Sequence, residues 1–314
     1  MMARALWCVA PGRAELRTAA LGEGLAIRAR YSAISRGTER LVFEGRVPED
    51  QHDLMRAPHQ EGAFPFPVKY GYAVVGDVEE GDMAKTTVFA LYPHQTRFCL
   101  PKEAVLRVPA DVPPERAVLA ANMETALNVL WDSAAGAGDR IAIVGAGVVG
   151  ALVGYLAARL PGAEVTLVDP NRERASLASS FACDFAIPED APDTCDVVIH
   201  ASATSEGLAT ALGCAGPEGT IVEASWYGAD NVTAPLGGAF HSHRLKLISS
   251  QVGALPPARR PRWTHHRRLT KALELLKDPV LDALFSGESR FEDLTADYPA
   301  ILGSPNTLCH RIIY

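Results

Sequence analysis

Basic charge, paired cysteine and long uncharged runs are all scarce in this 314-residue chain. Lys and Arg number 30 against 37 Asp and Glu, a net charge of −7. That is the wrong sign for a protein whose surface neutralises nucleic-acid phosphates. Cys8, Cys99, Cys183, Cys195, Cys214 and Cys309 stand singly, with no CxxC, which speaks against a disulfide framework or a cysteine-rich zinc module. One stretch, Ile141 to Ala158, carries no charge and is long enough to score as a membrane span. It opens on Ile141–Val144 and then places Gly145, Gly147, Gly150 and Gly154. A buried strand, a tight turn and a buried helix laid end to end give the same hydropathy, so no membrane partner is expected. Near the N-terminus, Arg4, Arg13, Glu15 and Arg17 leave only a short uncharged run broken at Pro11-Gly12. This is a poor signal-peptide core, and a cytoplasmic, reduced protein is expected.

What is present falls into two textures, as a length of about two ~150-residue domains allows. Before about residue 110 the chain reads as short strands at Ala5–Val9, Glu15–Arg17, Leu25–Tyr31 and Tyr72–Val78, interrupted by repeated prolines. After Pro113-Pro114, apolar residues fall at helical spacing to about Ala134. Strands are then expected at Ile141–Val144, Glu164–Asp169, Asp196–Ser202, Thr220–Ser225 and Leu245–Val252. Between them lie helices at Val148–Leu160, Arg172–Phe181 and Glu206–Cys214. This alternation predicts βαβ crossovers and a doubly wound parallel sheet. A basic segment, a helix at Thr270–Leu276 and a closing strand at His310–Tyr314 are too short for a third domain. The expected division is residues 1–120 completed by 256–314, and residues 121–255.

Gly145-Ala146-Gly147-Val148-Val149-Gly150 is a GxGxxG placed after a buried strand and before a helix, and a second strand ends in Asp169 about 20 residues on. In this setting Gly145 makes the tight turn, Gly147 lets backbone N–H groups approach a pyrophosphate, and Gly150 brings helix against strand. With Val149 in the first helical turn, these residues form a dinucleotide cradle. Asp169 would accept hydrogen bonds from an adenosine ribose and repel a 2′-phosphate, which favours NAD(H) over NADP(H). Arg172 or Arg174 swinging onto a phosphate is the opposing reading.

The order of parts resembles the medium-chain dehydrogenase/reductase superfamily, the zinc-type alcohol and polyol dehydrogenases and quinone reductases. The likeness spans nearly the whole chain. It rests on ALWCVAPGRAELR, Tyr31-SAISRGTE, Val68-KYGYAVVGDVEEG, AANMETALN, GAGVVG and the closing strand. It implies an α/β protein with a GroES-like β-rich catalytic domain and a Rossmann NAD-binding domain. Zinc-dependent members hold their metal with a Cys, a His and a third ligand on the linking helix; here Ser35, Tyr72 and Ala121 occupy those positions. The four-cysteine zinc lobe is missing as well, with Cys99 alone between Cys8 and Cys183. A hydroxyl, a phenol and a methyl do not replace thiolate, imidazole and carboxylate around zinc. No metal ligand and no zinc are therefore expected.

Without a metal, the oxygen that gains charge during hydride transfer needs an aimed proton donor. The resemblance puts Ser35, Tyr72 and Glu124 around the substrate cleft. Tyr72 is the first candidate donor, against the reading of a tyrosine satisfied by backbone. His94 is the second, against a surface-loop histidine, and Glu124 either orients a substrate hydroxyl or caps a polar network. The resemblance also places Thr125 against the nicotinamide. Ala201, Ser202, Ser225 and Trp226 fall at strand ends where the carboxamide is held, or else in ordinary packing. Arg259, Arg260, Arg262, Arg267 and Arg268 form either a solvated face or a site for an anionic substrate. Together these readings give an NAD(H)-dependent, zinc-independent oxidoreductase acting on an alcohol/carbonyl or enone small molecule. A zinc enzyme with unusual ligands and a non-catalytic NAD(H) sensor stay open, and a homodimer is implied through the strand at Leu245–Val252.

Overall fold

The computed structural model describes residues 2–314. Two units emerge, one made of the chain up to Ala121 with Leu273–Tyr314, the other of Asn122–Ala272. Residues 256–272, placed with the first domain above, group with the second unit, where the side chains of Trp263 and Arg268 are engaged.

The chain begins with β1 (Arg4–Ala10), β2 (Arg13–Thr18), β3 (Leu25–Ser35), α1 (Arg36–Phe43), β4 (Glu61–Gly62) and β5 (Val68–Lys69). It continues through β6 (Val74–Val78), β7 (Thr87–Ala90), β8 (Arg97–Leu100), β9 (Val105–Arg107), α2 (Pro114–Ala117) and α3 (Ala120–Ser133). The second unit adds β10 (Arg140–Val144), α4 (Val148–Ala157), β11 (Glu164–Val168), α5 (Arg174–Ser180) and β12 (Asp184–Ala186). Next come β13 (Cys195–His200), α6 (Ser205–Cys214), β14 (Ala215–Glu223) and β15 (Lys246–Ser249). The chain closes with α7 (His265–Leu275), β16 (Phe285–Arg290), α8 (Leu294–Gly303) and β17 (Cys309–Ile313).

In the first unit, β3 is the spine. It pairs antiparallel with β6, β8 and the closing strand β17, so the C-terminal strand does return to the first sheet. Ile27 and Ala29 of β3 pack with Val74, Val88, Phe98 and Leu100 in one apolar cluster, while Arg28 faces out. That period-2 pattern marks a sheet with one face in the core. Two features depart from expectation: β3 runs on to Ser35 and hands directly into α1, and β16 and α8 fill the segment before β17.

In the second unit the sheet is wholly parallel, in the order β12-β11-β10-β13-β14-β15. Ile141–Ile143, Val198, Ile199, Ile221 and Val222 are all buried. Helices covering both faces of a parallel sheet require such continuous apolar runs. From Gly150 to Ala157 every residue of α4 is buried too, which accounts for the uncharged run at 141–158. Among the described residues no helix is long and apolar enough to cross a membrane. Strand β15 forms one edge of this sheet, with Leu247 and Ile248 exposed, and β12 the other.

Candidate functional site: a glycine turn and two buried polar clusters

The glycine turn lies in the second unit, at the carboxyl end of β10. Gly145 has φ +106°, and a Cβ there would sit 2.7 Å from the Ser202 backbone N. At Gly150 a Cβ would overlap the Gly145 carbonyl oxygen, whereas Gly147 faces open space. Helix α4 opens at Gly147 with no side chain capping it among the described residues. Its first N–H groups, with the half-buried Val149 among them, have no intrahelical acceptor. Asp169 follows β11 directly; its Oδ2 accepts from the Ala146 N–H at 2.8 Å and its Oδ1 from the Asn171 N–H at 2.9 Å. The carboxylate is thus fixed beside an uncapped helix N-terminus, which fits the diphosphate and ribose of a dinucleotide. Arg174 is buried nearby. Burial lowers its pKa while the charges of Asp169 and Glu173 oppose that shift. Arg172 stays exposed.

The strand order changes direction between β10 and β13, and open α/β sheets bind ligands in the crevice at such a point. Ala201 donates its N–H to the Val144 carbonyl at 2.8 Å and brings Ser202 beside the turn. Behind Ser202 is a polar cluster in which the sequence reading placed Ser202 and Ser225 at a ligand but did not see Glu223 joining them. His200 Nε2 lies 2.7 Å from Ser202 Oγ, and its Nδ1 lies 2.8 Å from Glu223 Oε2. Tyr227 donates its hydroxyl to the same Oε2 at 2.9 Å, and the Ser225 N–H donates to Oε1 at 2.8 Å. Burial alone would raise the Glu223 carboxyl, but His200 and Ser225 outweigh it and hold the group below its ordinary value. Burial, with Glu223 beside it, raises Tyr227. Gly207 makes room for this group, since a Cβ there would collide with Ser202 Oγ and His200 Nε2. Trp226 is half-buried beside it. A signal for the cluster was present: β13 and β14 each end an apolar run on a titratable residue, and His200 and Glu223 are register partners.

The first unit holds the second cluster. Tyr72 hydrogen-bonds the hydroxyls of Ser35 and Thr38; burial first, then the Glu39 charge, pushes its pKa up to about 12. The Ser35 N–H donates to Glu39 Oε1 at 2.7 Å. Glu39 Oε2 takes the Tyr298 hydroxyl at 2.6 Å and meets His94 Nε2 at 3.0 Å. His94 Nδ1 lies 2.8 Å from Ser32 Oγ, which is 2.9 Å from the Tyr314 hydroxyl. His94 is therefore neither a surface-loop histidine nor a direct donor, since it is 0% exposed and both its nitrogens are engaged. Because a carboxylate only accepts, Nε2 carries the proton toward Glu39. Gly71, at φ +119°, permits this packing, for a Cβ there would lie 2.9 Å from the imidazole.

Glu124 is buried on α3, where Arg268 Nε donates to its Oε1 at 3.0 Å. The remaining Arg268 donors reach Asn128 Oδ1 and the Val252 carbonyl. Glu124 thus belongs to a closed polar network, while Thr125 beside it is half-buried. The arginine segment is largely committed as well. Arg268 is 1% exposed, Arg259 stacks 4.9 Å over Trp131, Arg267 stacks 4.1 Å over Trp263, and the two indoles lie 4.6 Å apart. Arg268 cannot meet an anionic ligand. Among the described residues no group of three or more His, Cys, Asp or Glu is placed to hold a metal.

No family model matches the chain. It is 23% identical to the D-guloside 3-dehydrogenase of Escherichia coli (strain K12) over 320 residues, 92% of this chain and 89% of that protein. Its structure matches a protein of Sinorhizobium meliloti 1021 described as a zinc-binding dehydrogenase and bound to NADP. That match has a TM-score of 0.77, 17% identity and 100% of both chains covered. It also matches a short chain alcohol dehydrogenase of Escherichia coli CFT073 complexed with NADH, with a TM-score of 0.78, 12% identity and 99% of both chains covered. At these identities the structural likeness speaks to the fold, which is shared along the whole chain.

Proposed function

We propose, from the premise that the chain has the fold of medium-chain dehydrogenases, that it is an NAD(H)-dependent, zinc-independent oxidoreductase of an alcohol/carbonyl pair. The observation that carries this reading is the glycine turn with Asp169 fixed beside an uncapped helix N-terminus. A substrate of the polyol or sugar class is supported by the relative that acts as a D-guloside 3-dehydrogenase. NAD(H) is favoured over NADP(H) because a 2′-phosphate would meet the Asp169 carboxylate. The zinc-free reading rests on donor chemistry: the hydroxyl of Ser35 and the phenol of Tyr72 are poor zinc ligands, and they hydrogen-bond each other.

The bound nicotinamide supplies the hydride acceptor, or the donor in the reverse direction. On the protein side, the first N–H groups of α4 bind the diphosphate and Asp169 accepts from the ribose hydroxyls. With a pKa near 12, Tyr72 stays a protonated phenol at neutral pH and donates a hydrogen bond to the substrate oxygen as negative charge develops there. Ser35 and Thr38 aim that phenol, and Glu39, tied to His94 and Tyr298, holds the Ser35 backbone in place.

Tyr72→Phe removes the donor and keeps the ring. Its kcat should fall roughly 10²–10³-fold, the range for loss of one oxyanion donor, while NADH affinity measured by nicotinamide fluorescence stays unchanged. Full turnover in this variant would remove Tyr72 from the mechanism.

A further inference from the structure

Taking Ser202 at the nicotinamide end of the cofactor, as the sequence reading expects, we infer that the Glu223–His200 pair behind it sets by its charge which oxidation state is held more tightly. This rests on the dinucleotide reading above. Placement comes from topology. Asp169 lies on the β11 side of the switch point and takes the adenosine half, so the other half falls at the carboxyl ends of β13 and β14. Those ends carry His200 and Glu223, and the Ser202 backbone borders the turn.

Burial then decides which group can touch a ligand. His200 is 0% exposed, while Ser202 is only half-buried, so the imidazole acts on a ligand from behind Ser202, by its charge. With His200 neutral, its Nδ1–H donates to Glu223 and its Nε2 accepts the Ser202 O–H, so the Ser202 oxygen accepts from the Thr204 hydroxyl. Once His200 takes up a proton, Nε2–H donates to Ser202 Oγ and the serine hydroxyl turns to Thr204 Oγ1, 3.1 Å away. The charge of the pair changes with it, from −1 to 0.

An oxidised nicotinamide ring carries one positive charge and a reduced ring none. A buried negative pair therefore favours the oxidised form by Coulomb attraction, and a neutral pair does not. The titratable groups bonded to His200 are Glu223 and Tyr227. On the neighbouring elements, α6 carries the exposed Glu206 and the buried Cys214, and on β14 Glu218 pairs with Arg244. Arg140 stands at the far end of β10 from His200.

Kd values for NADH, by fluorescence, and for NAD⁺, by competition, would be measured between about pH 5.5 and 8.5 on wild type, His200→Asn and Glu223→Gln. In wild type the ratio Kd(NADH)/Kd(NAD⁺) should rise roughly tenfold with pH. His200→Asn should hold the ratio flat at its high-pH value, because Glu223 stays charged. Glu223→Gln should lower the ratio at high pH by a similar factor, and it carries the test if His200→Asn does not fold. A ratio independent of pH in wild type, or a wild-type slope kept by His200→Asn, overturns the inference alone. Failure to bind either cofactor overturns the dinucleotide reading together with it.

Discussion

Arg268→Met should lose about 3–5 kcal/mol of unfolding free energy in denaturant titration, the cost of leaving one partner of a buried ion pair unpaired. Glu124 and Arg268 are both buried, and the same guanidinium serves Asn128 Oδ1 and the Val252 carbonyl. No other cation bonds Glu124 directly among the described contacts. The effect should also depend on pH in a stated direction. Burial raises the Glu124 pKa even with Arg268 beside it, and removing Arg268 raises it further. A carboxyl whose folded pKa lies above its unfolded value binds its proton more tightly in the native state. Stability is then lost as pH rises from the unfolded pKa of about 4.3 through the folded one. The deficit should be smaller near pH 4, where only the hydrogen bonds to Asn128 and Val252 are lost, and full well above the folded pKa. The double variant E124Q/R268M should recover part of the loss at neutral pH. A loss under about 1 kcal/mol, the scale of an exposed pair, or one independent of pH, would contradict the closed network.

Gly150→Val should abolish dinucleotide binding without dismantling the parallel sheet. A Cβ at this position would overlap the Gly145 carbonyl oxygen and lie 3.4 Å from Ile143 Cγ2. Helix α4 must move off β10 to admit it, and the N–H groups at the helix start then leave the positions in which they converge on a diphosphate. NADH affinity should drop at least roughly 100-fold, since each tenfold is only about 1.4 kcal/mol, with far-UV circular dichroism retained. An unchanged Kd would place the cofactor elsewhere.

Local pattern explains what the sequence could show. The glycine turn, Asp169 and the parallel strands are written in contiguous spacing, because turn, helix start and buried strand each need particular residues next to one another. Pairings made across long separations were not legible. His94 sits among loop residues and became a buried group only through Glu39, 55 residues away, and Tyr298. Arg268 ends a run of arginines whose composition suggests a solvated face, yet its partner Glu124 is 144 residues distant. Helix α1 escaped because Ser35–Glu39 was read as a motif after a strand, whereas Leu41, Val42 and Phe43 bury its far end in the core. The His200–Glu223 pair lay between these cases: each residue is conspicuous at the end of an apolar strand, but only the β13–β14 register sets them side by side.

The proposed enzyme is a nicotinamide dehydrogenase that works without zinc. Its most direct test is turnover of tag-free, chelator-dialysed protein with NAD⁺ against a panel of sugars and polyols, followed at the nicotinamide absorbance. Substrate-dependent reduction of NAD⁺, faster than that of NADP⁺, is expected in protein holding no stoichiometric metal. Activity that vanishes on dialysis and returns with one equivalent of zinc would contradict it.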